Sequence, residues 1–219
     1  MDVRRRVGAV AVAVGLVLSG CTELTAGTAI SGLEPAGESS GKAPYRAQVC
    51  EQLHAEQWIE VPGGGPDEPR VRVAQPPGWV PIPELADDPV RLALRNEGLS
   101  DGVTNPAVSV SVADVTDGDK PPEVLLQDSV AGYGSAGGQD VDPEPAEICG
   151  FPAMLVSYTI SPGRATKTIY VTAVSVMVPL DGGTVWNVLA MAQTTEPNNP
   201  TYMADVQVML AGLRIAMPR

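Results

Sequence analysis

The stretch KTIYVTAVSVMV, residues 167–178, decides the fold of this protein. Successive side chains of a β-strand point to opposite faces, and both faces of this stretch are largely apolar. One face carries Val174, Val176 and Val178, and the other carries Ile169, Val171 and Met177. A strand that is apolar on both faces must be covered on both sides. The stretch therefore predicts an interior strand of a sheet that lies between two other layers.

The neighbouring stretches extend this strand into a meander. Strand-like runs at residues 153–160 and 183–195 flank it on either side. The connections contain the turn sequences Ser-Pro-Gly at residues 161–163 and Asp-Gly-Gly at residues 181–183. Short turns of this kind join antiparallel strands, so three consecutive antiparallel strands are predicted.

Shorter strands are predicted upstream of the meander. Residues 70–74, 90–95 and 107–115 have strand-like patterns, and the last is the clearest because valines occupy one face and serines the other. A further strand is predicted near residues 146–149.

Three helices are predicted from the spacing of apolar residues and of Gly and Pro. They cover residues 45–58, a segment from Pro121-Pro122 to about Tyr133, and residues 200–213. The apolar stripes of the last two are Leu126, Val130 and Tyr133, and Met203, Val206, Leu210 and Leu213. This order of elements predicts an α+β fold in which an antiparallel sheet is flanked by helices.

The beginning of the chain has the organisation of a bacterial lipoprotein signal peptide. Three arginines at residues 4–6 precede an apolar run at residues 7–18, which is too short to span a hydrocarbon core of ~30 Å. The following Leu18-Ser19-Gly20-Cys21 matches a lipobox, the site where a diacylglyceryl chain is attached to cysteine. An ordinary cleaved signal peptide with a chance cysteine is the alternative, but the order of these four residues favours lipidation of Cys21.

The predicted organisation has three parts. Residues 1–20 are the signal peptide, residues 21–44 are the lipidated cysteine with a flexible Gly-, Ser- and Pro-rich linker, and residues 45–219 are the folded domain. Two or more acyl chains, palmitate among them, hold a protein stably on a membrane. We expect an exported protein that is anchored to the outer face of the cell membrane, and its exposure at the cell surface stays open.

The charge of the chain excludes one class of partner. With 14 basic and 26 acidic residues, the formal net charge is −12, and removal of the three leader arginines makes the protein more acidic still. Such a surface repels nucleic acid and anionic headgroups. We therefore expect no nucleic-acid binding, and membrane attachment through the lipid rather than through a basic patch.

The remaining cysteines form an even pair once Cys21 is assigned to lipid. Cys50 and Cys149 would lie in an exported, oxidising compartment, which predicts one disulfide. Whether their Cα atoms come close enough is open at this point.

The order of these features resembles a known family. The lipobox, the acidic Gly/Ser spacer, Pro76-Pro77-Gly78-Trp79, and the closing meander and helix resemble the LpqN/LpqT-type lipoproteins of mycobacteria. The domain of that family is similar to the PsbP-like fold, which also occurs in a Ran-binding protein of the Mog type. The resemblance implies a PsbP-like α/β/α sandwich and a role in the cell envelope and in surface interactions. It supplies no catalytic residue.

The residues give little support to catalysis. The one histidine, His54, follows Cys50 by four positions and would share its helical face, so a thiolate and its base are conceivable. A disulfide between Cys50 and Cys149 is the favoured interpretation, because it leaves no free thiol. No Gly-x-Ser-x-Gly elbow is present, and the chain lacks the several His and Cys of a zinc site. We expect no enzyme activity and no cofactor.

Carboxylates and tryptophans were the other candidates for a site. Asp114, Asp117 and Asp119 crowd one segment but do not match an EF-hand, so a solvated loop is favoured over a calcium site. Trp79 and Trp186 could line a ligand or interaction groove, together with Trp58. Because aromatic residues are only 4% of the chain, we favour the alternative that they anchor the core.

Three functions remain. We favour a non-enzymatic interaction module that contacts envelope or surface proteins while anchored by lipid. A carrier of a lipid or small amphiphile is the alternative, since Met154, Met177, Met191, Met203 and Met209 could form an adaptable lining or else simply fill the core. A hydrolase with an unrecognised site ranks last.

Overall fold

The computed structural model of the protein describes residues 55–163 and 167–218. The signal peptide, Cys21, the linker, Cys50 and His54 therefore lie outside the described residues, and the predictions for them stay predictions. The described part contains ten β-strands and two α-helices. In chain order they are β1 (Trp58–Glu60), β2 (Arg70–Ala74), β3 (Trp79–Pro81), β4 (Val90–Asn96), β5 (Ala107–Asp114), α1 (Pro122–Ser135), β6 (Gln139–Ile148), β7 (Phe151–Ile160), β8 (Ile169–Pro179), β9 (Val185–Thr194), α2 (Pro200–Ala211) and β10 (Arg214–Ala216).

Seven of these strands form one antiparallel sheet in the order β3-β4-β5-β9-β8-β7-β6. The predicted meander is confirmed, because β8 pairs along its length with β7 on one side and β9 on the other. Val174, for example, is opposite Leu155 and Ala190. The strand is buried on both faces, as its sequence predicts.

The seven-stranded sheet is covered by a different layer on each face. Its inner face packs against α2 and a three-stranded sheet of order β1-β2-β10 through a core that includes Val71, Val174, Val206 and Leu210. Its outer face packs against α1 over β6, β7 and β8. Burying each such aliphatic side chain contributes about 1.5–3 kcal/mol. The predicted α+β class with layers on both faces is confirmed.

The inner layer differs from the prediction in containing a second sheet. The helix predicted over residues 45–58 is wrong at its end, since Trp58 begins β1, and residues 45–54 lie outside the described part. Strands β1, β3 and β10 have three residues each. A pattern that short carries no readable period, so the sequence predicts none of them.

The predicted C-terminal helix is confirmed with one change in its buried stripe. Val206 and Leu210 are buried as expected, whereas Met203 is 38% exposed. Tyr202, Met209 and Ala211 take the remaining buried positions of α2. Leu213 is also buried, but it follows the end of the helix, so its position comes from the turn into β10.

Strand β6 is far longer than the prediction near residues 146–149. It covers ten residues, although Pro143 and Pro145 lie within it. β6 is the last strand of its sheet and pairs only with β7, so it tolerates prolines that lack an N–H group. Its carboxylates and prolines also protect the free edge from pairing with other chains. Because this edge strand is mostly polar, it lacks the alternation of apolar residues from which strands are predicted.

Candidate functional site

Of the two cysteines predicted to form a disulfide, Cys149 lies within the described residues and Cys50 does not. Cys149 is half-buried in the turn between β6 and β7. Its Sγ atom accepts a hydrogen bond from the Ile215 N–H at 3.3 Å and lies 3.4 Å from the carbonyl oxygen of Leu213. The turn is therefore held against β10. The pairing of Cys149 with Cys50 stays a prediction.

Trp79 is a core residue rather than a wall of a groove. Its side chain is 1% exposed and belongs to the main core, and its Nε1–H donates a hydrogen bond of 2.8 Å to Oδ2 of Asp205. Burial raises the pKa of Asp205, and the hydrogen bond from Trp79 partly opposes that rise. The Pro-Pro-Gly-Trp segment thus serves to connect β3 with α2.

The other tryptophans lie elsewhere. Trp186 is half-buried and pairs with Asp114, the last residue of β5, whereas Trp79 pairs with Asn96, the last residue of β4. Because β4 and β5 are antiparallel, these two positions are at opposite ends of the sheet. Trp58 belongs to the other sheet. The three rings therefore do not line one groove.

The five methionines of the carrier hypothesis are also separated. Met203 and Met209 belong to α2 on the inner side. Met177 is fully buried beneath α1, and Met154 and Met191 are half-buried on the outer side. They form no common lining.

The acidic segment after β5 is held by local hydrogen bonds and ion pairs. Asp114 accepts hydrogen bonds from the Thr116 N–H and hydroxyl, at 2.9 and 2.6 Å. Lys120 forms salt bridges with Asp117 and Asp128 at 2.8 and 2.9 Å. Within residues 55–163 and 167–218, no group of three or more His, Cys, Asp or Glu side chains is placed to hold a metal ion.

A cluster around Asp101, which sequence reasoning missed, joins three parts of the sheet. The Asp101 side chain is 3% exposed. Its Oδ1 accepts the N–H groups of Val103 and Thr104, at 2.8 and 2.7 Å. Its Oδ2 accepts from Lys167 Nζ at 2.7 Å and from the Thr195 hydroxyl at 2.8 Å. The cluster connects the loop between β4 and β5 to the residues before β8 and after β9.

The ionisation of Asp101 follows from these contacts. Burial alone would raise the pKa of its carboxyl group, but the hydrogen bonds from Lys167, Thr104 and other donors outweigh burial and hold the pKa well below its ordinary value of 3.8. The same contact raises the pKa of Lys167. All the partners of Asp101 are structural groups of this chain, so we assign the cluster to stability.

One surface has the properties of a docking site. Among the described residues, helix α1 packs over β6, β7 and β8 and reaches the start of β9 at Val185, whereas β4, β5 and the rest of β9 carry little helical cover on the outer face. We call this uncovered part the open face. Its half-buried side chains on β5 and β9 are Ser109, Ser111, Ala113, Leu189, Met191 and Gln193.

The strand register orders these side chains into rows. Ser109 is opposite Met191, and Ser111 is opposite Leu189, so hydroxyl groups alternate with apolar groups across the strands. Beside the rows, Arg95 of β4 forms a 2.8 Å salt bridge with Glu97, and Val80 of β3 is 46% exposed. The backbone groups of β5 and β9 are paired inside the sheet, so this surface presents side chains only.

A second surface is strongly acidic. No lysine or arginine occurs between residues 121 and 163. The exposed carboxylates of this segment, which we call the acidic edge, are Glu123, Asp128, Asp140, Asp142, Glu144 and Glu147. They belong to α1, which borders the open face, and to the edge strand β6. The run of acids without bases is visible in the sequence and was a signal that could have found this edge.

No helix in the described ranges is both long and apolar enough to cross a membrane. No family model matches the chain, and no curated protein matches it either.

Two of the solved structures similar to this chain show the extent of the similarity. One is LpqN of Mycobacterium tuberculosis, described as involved in cell envelope biogenesis, with 21% identity, a TM-score of 0.60, and coverage of 80% of this chain and 99% of LpqN. The other is the Ran-binding protein Mog1p of Saccharomyces cerevisiae, with 17% identity, a TM-score of 0.42, and coverage of 71% of this chain and 85% of Mog1p. The second similarity is too low to support an inference. The first shows that this chain has an LpqN-like fold, as the resemblance predicted, and the assignment to the PsbP-like group stays a prediction.

Proposed function

We propose that this protein is an exported, lipid-anchored lipoprotein of the cell envelope and that its domain is a non-enzymatic interaction module that docks a partner protein on the open face. The observation that carries the proposal is the uneven cover of the seven-stranded sheet. In the described residues its inner face and part of its outer face are packed. Ser109, Ser111, Leu189 and Met191 remain partly accessible, and the last two also border the hydrophobic cluster beside α1. Partly exposed apolar groups among hydroxyls, bordered by charges, are found at protein-binding surfaces.

The charges beside the open face indicate the chemistry of the partner. Helix α1 borders that face and carries the exposed Glu123 and Asp128 of the acidic edge; Asp128 pairs with Lys120, whereas Glu123 forms no salt bridge among the described residues. Complementary potentials favour association and orient it. We therefore infer that the partner supplies a segment with apolar side chains followed by Lys or Arg.

The location in the envelope has two supports. The lipobox at Cys21 is the first. The second is the shared fold with LpqN, a protein described as involved in cell envelope biogenesis. A common fold does not determine function, so the open face rather than the fold carries the proposed interaction.

Lipid anchoring predicts a labelling result. Cells fed a palmitate analogue with a clickable alkyne are expected to incorporate it into the full-length protein, because acyl chains are added at the lipobox cysteine. Cys21→Ser is expected to abolish the label. Cys149→Ser makes the same side-chain change at another cysteine, and the folded fraction of that variant should retain the label. Labelled Cys21→Ser protein would contradict the anchor.

The open face predicts a site-specific crosslink. A photo-crosslinking amino acid at Ser109 of the anchored protein is expected to capture a partner protein in intact cells, and the same residue at the exposed Gln207 of α2 is not. Ser111→Lys should reduce the captured product at least about tenfold, because it places a flexible cation in the surface that receives a cationic segment. Gln207→Lys is the matched control and should leave the Ser109 crosslink unchanged.

Two outcomes would contradict this use of the open face. One is equal capture from Ser109 and Gln207. The other is an undiminished Ser109 crosslink in the Ser111→Lys protein, provided that thermal unfolding shows the variant to be folded.

The carrier function is the second candidate, and the half-buried Leu189 and Met191 on the open face favour it. An acyl chain could lie along these two side chains. Native mass spectrometry of the protein from its own host distinguishes the candidates, since a carrier is expected to retain a bound amphiphile and an interaction module is not.

A further inference from the structure

The three-stranded sheet has an outward face that is basic. Strand β2 alternates strictly: Val71 and Val73 are 1% exposed and point into the core, whereas Arg70 and Arg72 are exposed. Across the ladder, Arg72 is opposite Arg214 of β10. Residues directly opposite one another share a face of the sheet, so the three arginines lie together. We call Arg70, Arg72 and Arg214 the arginine face.

Two of these arginines differ from the basic residues elsewhere in the described ranges. Arg91, Arg95, Lys120 and Lys167 each form a salt bridge within the chain. In contrast, no salt bridge of Arg70 or Arg72 occurs among residues 55–163 and 167–218. Because the chain as a whole has many more acids than bases, two exposed arginines without such a bridge form an unusual surface.

An aromatic ring and one carboxylate complete this face. The guanidinium carbon of Arg214 lies 3.9 Å from the centre of the Trp58 ring, and Trp58 is half-buried in β1. On the neighbouring strand β1, Glu60 is opposite Arg72 and reduces the positive charge of this face. Three arginines against one glutamate leave the face positive. Arginine with tryptophan is the combination found where a protein meets lipid headgroups.

The chain enters the domain at this sheet. β1 is the first element of the described part and forms one edge of the three-stranded sheet, so the segment that leads back to Cys21 joins the domain there. Cys149 is held against β10, at the opposite edge of the same sheet. The predicted disulfide with Cys50 would bring the incoming segment to this side as well. An anchor at Cys21 is thus connected to the side of the domain that carries the arginine face.

We propose that the arginine face docks on anionic phospholipid headgroups of the membrane that holds the anchor. This inference rests on the proposed lipid anchor. Guanidinium groups bind phosphate oxygens in a bidentate manner. The acidic net charge does not prevent docking, since charges more than about 8 Å away are largely screened at physiological salt. The anchor keeps the domain near the headgroups, so even a weak surface contact is populated.

Docking in this way sets the orientation of the whole domain. The three-stranded sheet packs on the inner face of the seven-stranded sheet, and the open face is part of the outer face. With the arginine face on the membrane, the open face points away from it, toward proteins of the envelope. The lipid contact and the protein contact therefore use opposite sides of the domain.

The test uses the full mature chain with its lipid anchor. It is bound to phosphatidylcholine vesicles that either contain or lack phosphatidylglycerol. All the vesicles contain lipids with brominated acyl chains. Bromine quenches tryptophan fluorescence at short range, so quenching of Trp58 reports docking, and a Trp58→Phe protein gives the background from Trp79 and Trp186. Flotation of the protein with the vesicles reports the anchor separately. We expect quenching only with phosphatidylglycerol and its loss at high salt.

Substitutions identify the surface. Arg70→Gln together with Arg72→Gln is expected to lower the equilibrium constant for docking about twenty-five-fold, because each arginine near an anionic surface contributes a factor of about five. Arg95→Gln removes the same charge on the other side of the domain and should leave quenching unchanged. Quenching that is independent of phosphatidylglycerol, or equally reduced by Arg95→Gln, would overturn the proposal. Failure to float would instead contradict the lipid anchor.

Discussion

Replacing Trp79 with alanine is expected to lower the free energy of unfolding by about 3–5 kcal/mol. The side chain is 1% exposed and packs in the main core between the two sheets and α2. Its removal leaves a cavity and deprives the Asp205 carboxylate of its indole donor. Urea unfolding followed by circular dichroism measures the loss, and the slope of the transition should stay the same as in the natural protein.

A matched pair of phenylalanine variants separates packing from hydrogen bonding. Trp79→Phe keeps most of the buried ring but loses the Nε1–H that Asp205 accepts, so a loss of about 1–3 kcal/mol is expected. Trp186→Phe makes the same chemical change at an Nε1 atom that is buried without a hydrogen-bond partner in the described part. Removing an unpaired buried donor should offset part of the lost ring contact. Equal losses in the two variants would show that the contact with Asp205 contributes nothing.

The second large effect is expected at Asp101. Asp101→Asn should lower the free energy of unfolding at neutral pH by about 1–3 kcal/mol, because the carboxylate is nearly buried and accepts hydrogen bonds from Lys167, Thr195 and two backbone N–H groups. Asp181→Asn, in the exposed turn between β8 and β9, is the matched control and should stay within about 0.5 kcal/mol of the natural protein.

The effect of Asp101 depends on pH with a definite sign. Its pKa is lowered in the folded protein, so its contribution is complete above the unfolded value near 3.8 and is lost as the pH falls from about 5 into the acid range. The asparagine variant lacks this dependence. Unfolding curves at a series of pH values should therefore show a difference between natural protein and Asp101→Asn that is constant above about pH 5 and narrows below it. A difference that widens in acid would contradict the assigned role.

The meander and its burial were predictable from local pattern. Successive side chains of residues 167–178 point to opposite faces of one strand, and both faces are largely apolar. Turn residues separate this strand from both of its neighbours. α1 was predictable for the same reason, since Leu126 and Tyr133 recur at helical spacing and are both buried. Such predictions need only the period of a single element.

The candidate sites were less predictable, because they depend on which elements meet. The sequence of β5 predicts that its serines and its valines lie on different faces of the strand. The serines are incompletely covered because α1 packs on other strands. The sequence did not distinguish Trp79 from Trp186. In the structure Trp79 donates a hydrogen bond to Asp205, whereas Trp186 lies at the far end of the sheet. Arg72 and Arg214 are 142 residues apart and become neighbours only through the ladder between β2 and β10.

The sequence by itself determined the lipobox prediction at Cys21, the central strand β8 and the order of the meander. Each depends on residues close together in the chain, whose period or chemistry is read directly. The tertiary structure decided that a three-stranded sheet shares the inner layer, that α1 covers only part of the outer face in the described residues, and that three arginines gather on one face. Those features arise from packing and strand pairing between distant segments, and no local period encodes which segments will meet.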